Sequence, residues 1–156
     1  DEAPDGNSVY LPGGYPELYA GRLSGNQRFL NGMRAMAEAG GAVYGECGGY
    51  MVLGRTLIDG DGSPHAMTGL LPLVTSFAAR RLHLGYRQAM LASETPFGAV
   101  GTRLRGHEFH YASVVEEGPA AHLFEARDAA GGPVGMMGLV KGRVAGSFLH
   151  VIDRVD

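Results

Sequence analysis

The chain has 156 residues, 45% of them hydrophobic and 19% charged, which is the size and composition of one globular domain rather than of a disordered or repetitive protein. Thirteen Lys+Arg against 16 Asp+Glu leave a net charge of −3, without the basic surplus that a phosphate backbone selects, so nucleic acid is not an expected partner. A single cysteine, Cys47, excludes an internal disulfide framework and a multi-thiolate metal site, while 26 glycines far exceed the usual ~7%.

No stretch approaches the ~18 apolar residues of a membrane-spanning helix, so no membrane partner is expected. The start, Asp1-Glu2-Ala3-Pro4-Asp5, has neither the basic beginning nor the apolar run of an export signal. Together with an unpaired cysteine this points to the cytoplasm. The start also lacks an initiator methionine and opens abruptly, as a fragment of a longer protein would.

In chain order, Val9-Tyr10-Leu11 is a short β-prone run that ends in the turn Pro12-Gly13-Gly14-Tyr15-Pro16. Ser24 with Gln27 has the spacing of a helix capping box, and Phe29, Leu30, Met33, Met36 and Ala37 mark one face of the helix that follows. Gly40-Gly41 supplies its stop. Ala42-Val43-Tyr44 is a second buried strand, so strand, helix and strand form a βαβ unit and imply a parallel sheet. Tyr50 to Gly54 begins a helix after the run Gly45-Glu46-Cys47-Gly48-Gly49.

The second half changes character. Asp59-Gly60-Asp61-Gly62 is a turn between short extended pieces. Arg81 to Ala92, Gly101 to Phe109, Tyr111 to Val115, Leu123 to Arg127, Val134 to Val140 and Arg143 to Leu149 all have extended patterns. Turns fall at Gly131-Gly132 and Lys141-Gly142. No linker divides two domains.

Gly-x-Cys-x-Gly between a strand and a helix is the nucleophile-elbow pattern with sulfur in place of oxygen. The tight turn leaves no room for flanking side chains, the helix start favours a thiolate, and the Gly48 amide is directed to where a tetrahedral oxyanion would form. Taken alone, Cys47 is better read as a small buried hydrophobe, and it is the flanking glycines and the strand–turn–helix setting that favour a nucleophile. A thiol nucleophile needs a proton carrier, and of six histidines His150, at the end of an apolar strand, is best placed. His65 and His122 fall in turn or edge positions expected to be solvated. Gly13-Gly14, after the first strand, can lie beside the elbow and add amides to an oxyanion hole, although alone the pair is an ordinary turn. His107 and His110 form H-x-x-H, but positions i and i+3 of a strand face opposite sides, so no metal site is expected.

Taken together, Leu11-Pro-Gly-Gly-Tyr-Pro-Glu-Leu18, Gly45-Glu-Cys-Gly-Gly-Tyr-Met-Val-Leu-Gly54, Leu84-Gly-Tyr-Arg87 and Arg105-Gly-His-Glu-Phe-His-Tyr111 resemble the glutamine amidotransferase domain of cobyrinic acid or hydrogenobyrinic acid a,c-diamide synthases. Cobyric acid synthases have a related elbow, but Glu46 and the Gly-His-Glu-Phe-His-Tyr run favour the diamide synthases. The resemblance implies an α/β fold of the class I, triad-type glutaminases: a mainly parallel sheet flanked by helices, with extra antiparallel strands. It implies Cys47 as nucleophile and His150 as catalytic histidine, with Gly14 and Gly48 as the oxyanion hole. It assigns glutamine binding to Gly13 and to the stretch His107, Glu108 and Phe109. It further implies L-glutamine as substrate and residues 1–156 as a C-terminal amidotransferase domain, truncated at its own start. The partner implied is an N-terminal domain that binds ATP, Mg²⁺ and the corrinoid. No cofactor is expected in this chain, which has no G-x-x-x-x-G-K-[ST] phosphate loop. The resemblance has one gap: ordinary class I enzymes carry Glu two residues after the histidine, and here that position is Ile152, with Asp153 one place late.

Overall fold

The computed structural model describes residues 2–155, so Asp1 and Asp156, the ends of the expected domain, lie outside the described residues. The chain opens with β1 (Ser8–Leu11), a 3-10 turn (Pro16–Tyr19), α1 (Ala20–Gly25) and α2 (Gln27–Glu38). β2 (Ala42–Glu46) and α3 (Gly48–Leu53) follow, as the strand–elbow–helix pattern requires. The strands after that are β3 (Thr56–Ile58), β4 (Pro64–Ala66), β5 (Leu73–Ser76), β6 (His83–Leu91), β7 (Arg103–His110) and β8 (Ser113–Glu117). The chain closes with β9 (Ala121–Asp128), β10 (Pro133–Lys141), β11 (Val144–Ser147) and β12 (Leu149–Val155).

Eight strands form one sheet in the order β1-β2-β11-β10-β9-β6-β7-β12, and β4-β3-β5-β8 form a second. The expected βαβ unit is present: β1 pairs with β2 in parallel, and β11 pairs with β2 in parallel on the other side. The balance of the large sheet differs from expectation, because its remaining pairings, β11 through β12, are all antiparallel. The reason lies in the connections. The turns at Gly131 and Gly142, both with positive φ, return the chain as hairpins, whereas only α2 is long enough to carry a parallel crossover.

The sheet also curls. One apolar cluster takes Tyr44 from β2, Leu104 from β7, Leu91 from β6, Phe124 from β9, Val140 from β10, Ala145 from β11 and Leu149 from β12. Seven of the eight strands can share one cluster only on a concave face, and Val151 of the last strand donates to the Glu46 side chain of β2 at 3.3 Å. The other cluster packs Val9, Val43, Leu139 and Val144 of this sheet against α2, α3 and the second sheet, through Met33, Tyr50, Leu53, Leu57 and Leu73.

Three local expectations are corrected. The cap of α2 is Asn26, whose side chain accepts from the Phe29 amide at 3.2 Å, while Ser24 sits inside α1 and donates to Gly21. The run Arg143 to Leu149 is not one strand: it breaks at Phe148, β11 pairs with β2, and β12 pairs with β7. His65 is partly buried rather than solvated, since its ring meets Asp59 at 2.7 Å across the β3–β4 hairpin. His122 is exposed on β9, in accord with the sequence.

Candidate active site

β1, β2 and β11 run in parallel and end at one level, with Leu11 opposite Gly45 and Ser147 opposite Glu46. Strand ends of this kind collect a site where chains leave the sheet. Cys47 stands at that level with φ +48° and ψ −104°, and among the described residues it is the one non-glycine with positive φ. Its amide donates to the Ser147 carbonyl at 2.9 Å and its carbonyl accepts from Met51 at 3.1 Å, so the strained turn is held from both sides. A side chain on Gly48 is impossible, because its Cβ would lie 2.8 Å from the Gly14 amide nitrogen. That close approach brings the amides of Gly48 and Gly14 together on the Cys47 sulfur.

Cys47 Sγ lies 3.7 Å from the carbonyl oxygen of Phe109, to which the thiol donates. Burial pushes the thiol up, and the nearby carboxylates of Glu17 and Glu46 add to this, against the lowering effect of the Gly48 and Gly14 amides. The helix start supplies the expected donors, but desolvation exceeds them, and the Cys47 thiol is raised rather than lowered.

His150 is the second residue of β12. Its ring stacks on His107 with centroids 4.8 Å apart and planes 13° apart. Its Nδ1 lies 3.6 Å from Glu46 Oε2. Burial holds the imidazole below its ordinary pKa. The Glu46 charge works against this, and His107 and His110 reinforce it. A neutral thiol therefore stands with a neutral base.

Gly13, Gly14, Cys47, Phe109 and His150 line one cavity of about 330 Å³, near the small end of the ~300–1,000 Å³ typical of small-molecule sites. Gly48 meets it through its amide. His107 acts on it only by stacking on His150. The Glu108 side chain does not line it: it is held by Arg87 Nη2 at 2.6 Å and stands behind His110, whose Nε2 is 3.4 Å away. Burial opposes the charge on Glu108, but His110 and Arg87 together hold the carboxyl below its ordinary range.

The cavity also holds Glu17, Phe77 and Tyr111, which sequence reasoning did not single out, and His110, which it weighed only as a metal ligand. Glu17 sits inside the quoted Leu11–Leu18 motif, so a signal was available, and burial raises its carboxyl. Glu46 is the other omission. A carboxylate that is 6% exposed at the end of a buried strand must have partners, and its partners are at the site. Among the described residues no group of three or more His, Cys, Asp and Glu side chains could hold a metal ion, and no phosphate loop is present.

Comparison with known proteins agrees with this geometry. The model of the CobB/CobQ-like glutamine amidotransferase domain matches residues 1–154. The chain belongs to that family. Among curated relatives, hydrogenobyrinate a,c-diamide synthase of a Sinorhizobium species is 56% identical over 155 residues, covering 98% of this chain and 35% of the relative. The enzyme of the same name from Rhodobacter capsulatus is 56% identical over 154 residues, covering 97% of this chain and 35% of the relative. The amidotransferase domain thus spans about a third of the length of these relatives.

Solved structures place the fold in the same company. PurLQS from Thermotoga maritima superposes with a TM-score of 0.66 at 20% identity, covering 96% of this chain and 71% of that one. A structure described as a glutamine amidotransferase superposes with a TM-score of 0.59 at 16% identity, covering 92% and 70%. At such identities the likeness concerns the fold alone. Among the described residues no helix of this amidotransferase domain is long and apolar enough to cross a membrane.

Proposed function

We propose that this chain is the glutamine-hydrolysing part of a cobyrinate or hydrogenobyrinate a,c-diamide synthase. It frees ammonia that amidates the a and c side-chain carboxylates of the corrinoid in cobalamin biosynthesis. The observation that carries the reading is the convergence on one sulfur: the strained Cys47 turn, the amides of Gly14 and Gly48, and the neutral His150 in the same cavity. The 56% identity to named diamide synthases supports the corrinoid assignment.

In this reading Cys47 Sγ attacks the side-chain carbonyl carbon of L-glutamine as His150 Nε2 takes the thiol proton. The oxyanion rests on the amides of Gly14 and Gly48, each such donor contributing about 3–4 kcal/mol to transition-state stabilisation. His150 returns the proton to the departing nitrogen, the C–N bond breaks, and ammonia leaves behind a glutamyl thioester. Water then attacks the thioester, His150 takes its proton, and glutamate and the free thiol are restored. Gly13 and the His107–Phe109 stretch hold the amino-acid end of glutamine through backbone groups, and the Glu17 carboxylate supplies the negative charge that an α-ammonium group meets.

Carboxylate activation, with ATP and Mg²⁺, belongs to an N-terminal domain of the whole synthase. We assign the reaction to the cytoplasm, where an unpaired Cys47 stays reduced. The decisive experiment is Cys47→Ala in the whole synthase. Glutamine-dependent amidation is expected to vanish while amidation driven by free ammonium persists, and surviving glutamine-dependent amidation would refute the assignment.

A further inference from the structure

The residue two places after His150, where a third catalytic carboxylate would be sought, is Ile152, which is 61% exposed. Asp153 lies beyond a register shift in the β12–β7 pairing and is exposed opposite Arg105. Neither is directed at the imidazole. The group that is directed at it comes from a different strand and stands immediately before the nucleophile. Glu46 Oε2 lies 3.6 Å from His150 Nδ1, and that oxygen accepts from the Tyr10 hydroxyl at 2.8 Å. Glu46 Oε1 accepts from the amide of Val151, the residue next to His150, at 3.3 Å.

We propose that Glu46 is the positioning residue of this site. Reaching His150 across the closure of the curled sheet, it holds the imidazole in the Nδ1–H form that leaves Nε2 free as the base. The inference rests on the glutaminase reading for its consequence, but not for its geometry. Three features carry it. The carboxylate is buried, so its charge acts at short range with little screening. It accepts from the backbone amide next to His150 while its other oxygen lies 3.6 Å from the ring, which ties the carboxylate to the segment that carries the imidazole. The ring is also stacked on His107, which sets the plane in which Nδ1 meets Glu46. A carboxylate on the Nδ1 side of a catalytic histidine selects tautomer and orientation, and loss of that selection is worth about 10⁴ in kcat where it has been isolated.

Other titratable groups face this pair. His107 and His110 of β7 press His150 towards neutrality, Cys47 shares its cavity, and Tyr10 faces Glu46, with its hydroxyl pushed up to about 12 by burial and the adjoining carboxylate. Tyr44, on the same strand, also faces Glu46, and burial together with that carboxylate pushes its hydroxyl up.

Two measurements on the intact natural polypeptide test the proposal. The first is independent of activity: imidazole ¹⁵N shifts of His150 in the wild-type protein. A neutral ring protonated at Nδ1 is expected, and a ring protonated at Nε2 would overturn the proposal even if glutamine hydrolysis is confirmed. The second compares Glu46→Gln, which keeps the shape and one acceptor oxygen, with Tyr10→Phe, which removes a neighbouring contact. Glu46→Gln is expected to lower kcat for glutamine by about 10²-fold or more with KM changed less than threefold. It should also move the acidic limb of the kcat/KM profile to lower pH, because the imidazolium loses the carboxylate that favours it. Tyr10→Phe should leave that limb in place. A purely structural Glu46 predicts equal, limb-preserving losses in both variants, and that result overturns the proposal.

Discussion

Gly13→Ala separates the geometry of catalysis from the stability of the fold. Built on the existing backbone, the new Cβ would stand 2.7 Å from His150 Cε1 and 3.7 Å from the Cys47 Cβ. Ordinary contact begins at 3.4 Å, so the imidazole must retreat by about 0.7 Å. The ring is only partly buried and can swing, so the fold absorbs the methyl cheaply. The change in stability should stay within ~1 kcal/mol, because an added methyl also lowers the entropy of the unfolded chain. That corresponds to a Tm shift of no more than about 4 °C. Catalysis is less tolerant, since a 1 Å misplacement of reacting groups costs about 100-fold. The expected result is a roughly 30- to 100-fold loss of kcat/KM for glutamate release from glutamine, with an unchanged far-ultraviolet spectrum. Wild-type kcat/KM within threefold would refute the placement of His150 against Gly13. A loss that merely follows a collapse in Tm would refute the separation.

Two further expectations come from the site and its support. Because burial and the Glu17 and Glu46 charges raise the thiol, alkylation of Cys47 by iodoacetamide in the absence of substrate should still be accelerating with pH beyond the ordinary ~8.5 for cysteine. A plateau below pH 7 would show a resting thiolate instead. Arg87→Met strands the Glu108 carboxylate in an almost fully buried position with only His110 beside it. Removing one partner of such a pair costs about 3 kcal/mol, so thermal melting should fall by roughly 6–12 °C for a domain of this size. A melting temperature within 2 °C of wild type would show that the charge is solvated.

Local chemistry was legible where one short segment carries it. The elbow could be read because a strand, a tight turn and a helix occupy consecutive residues, and Gly45, Gly48 and Gly49 have no other reason to flank a cysteine. His150 could be read because an apolar strand runs directly into it. The cap of α2 was misread by two residues, since Ser24 and Asn26 are both good caps and only the break between α1 and α2 chooses Asn26. The partition of Gly101 to Val115 was invisible. Its two halves look like a hairpin, yet β7 joins the large sheet and β8 the small one, because the pairing partners β6 and β5 come from elsewhere in the chain.

By itself, the sequence determined the elbow around Cys47, the place of His150 where an apolar strand ends and the glycines that make room around them, because these depend on residue type and near-neighbour spacing. Only the tertiary structure decided that the large sheet curls, that the thiol is raised rather than lowered, and that Glu46 faces His150. Each of these depends on what is brought close through space. Burial is a sum over the whole fold, and Glu46 and His150 stand 104 positions apart until β12 leaves β11 and closes back on β2. The sequence shows a carboxylate before the cysteine and none two places behind the histidine, and the curl of the sheet brings the first towards the imidazole that lacks the second.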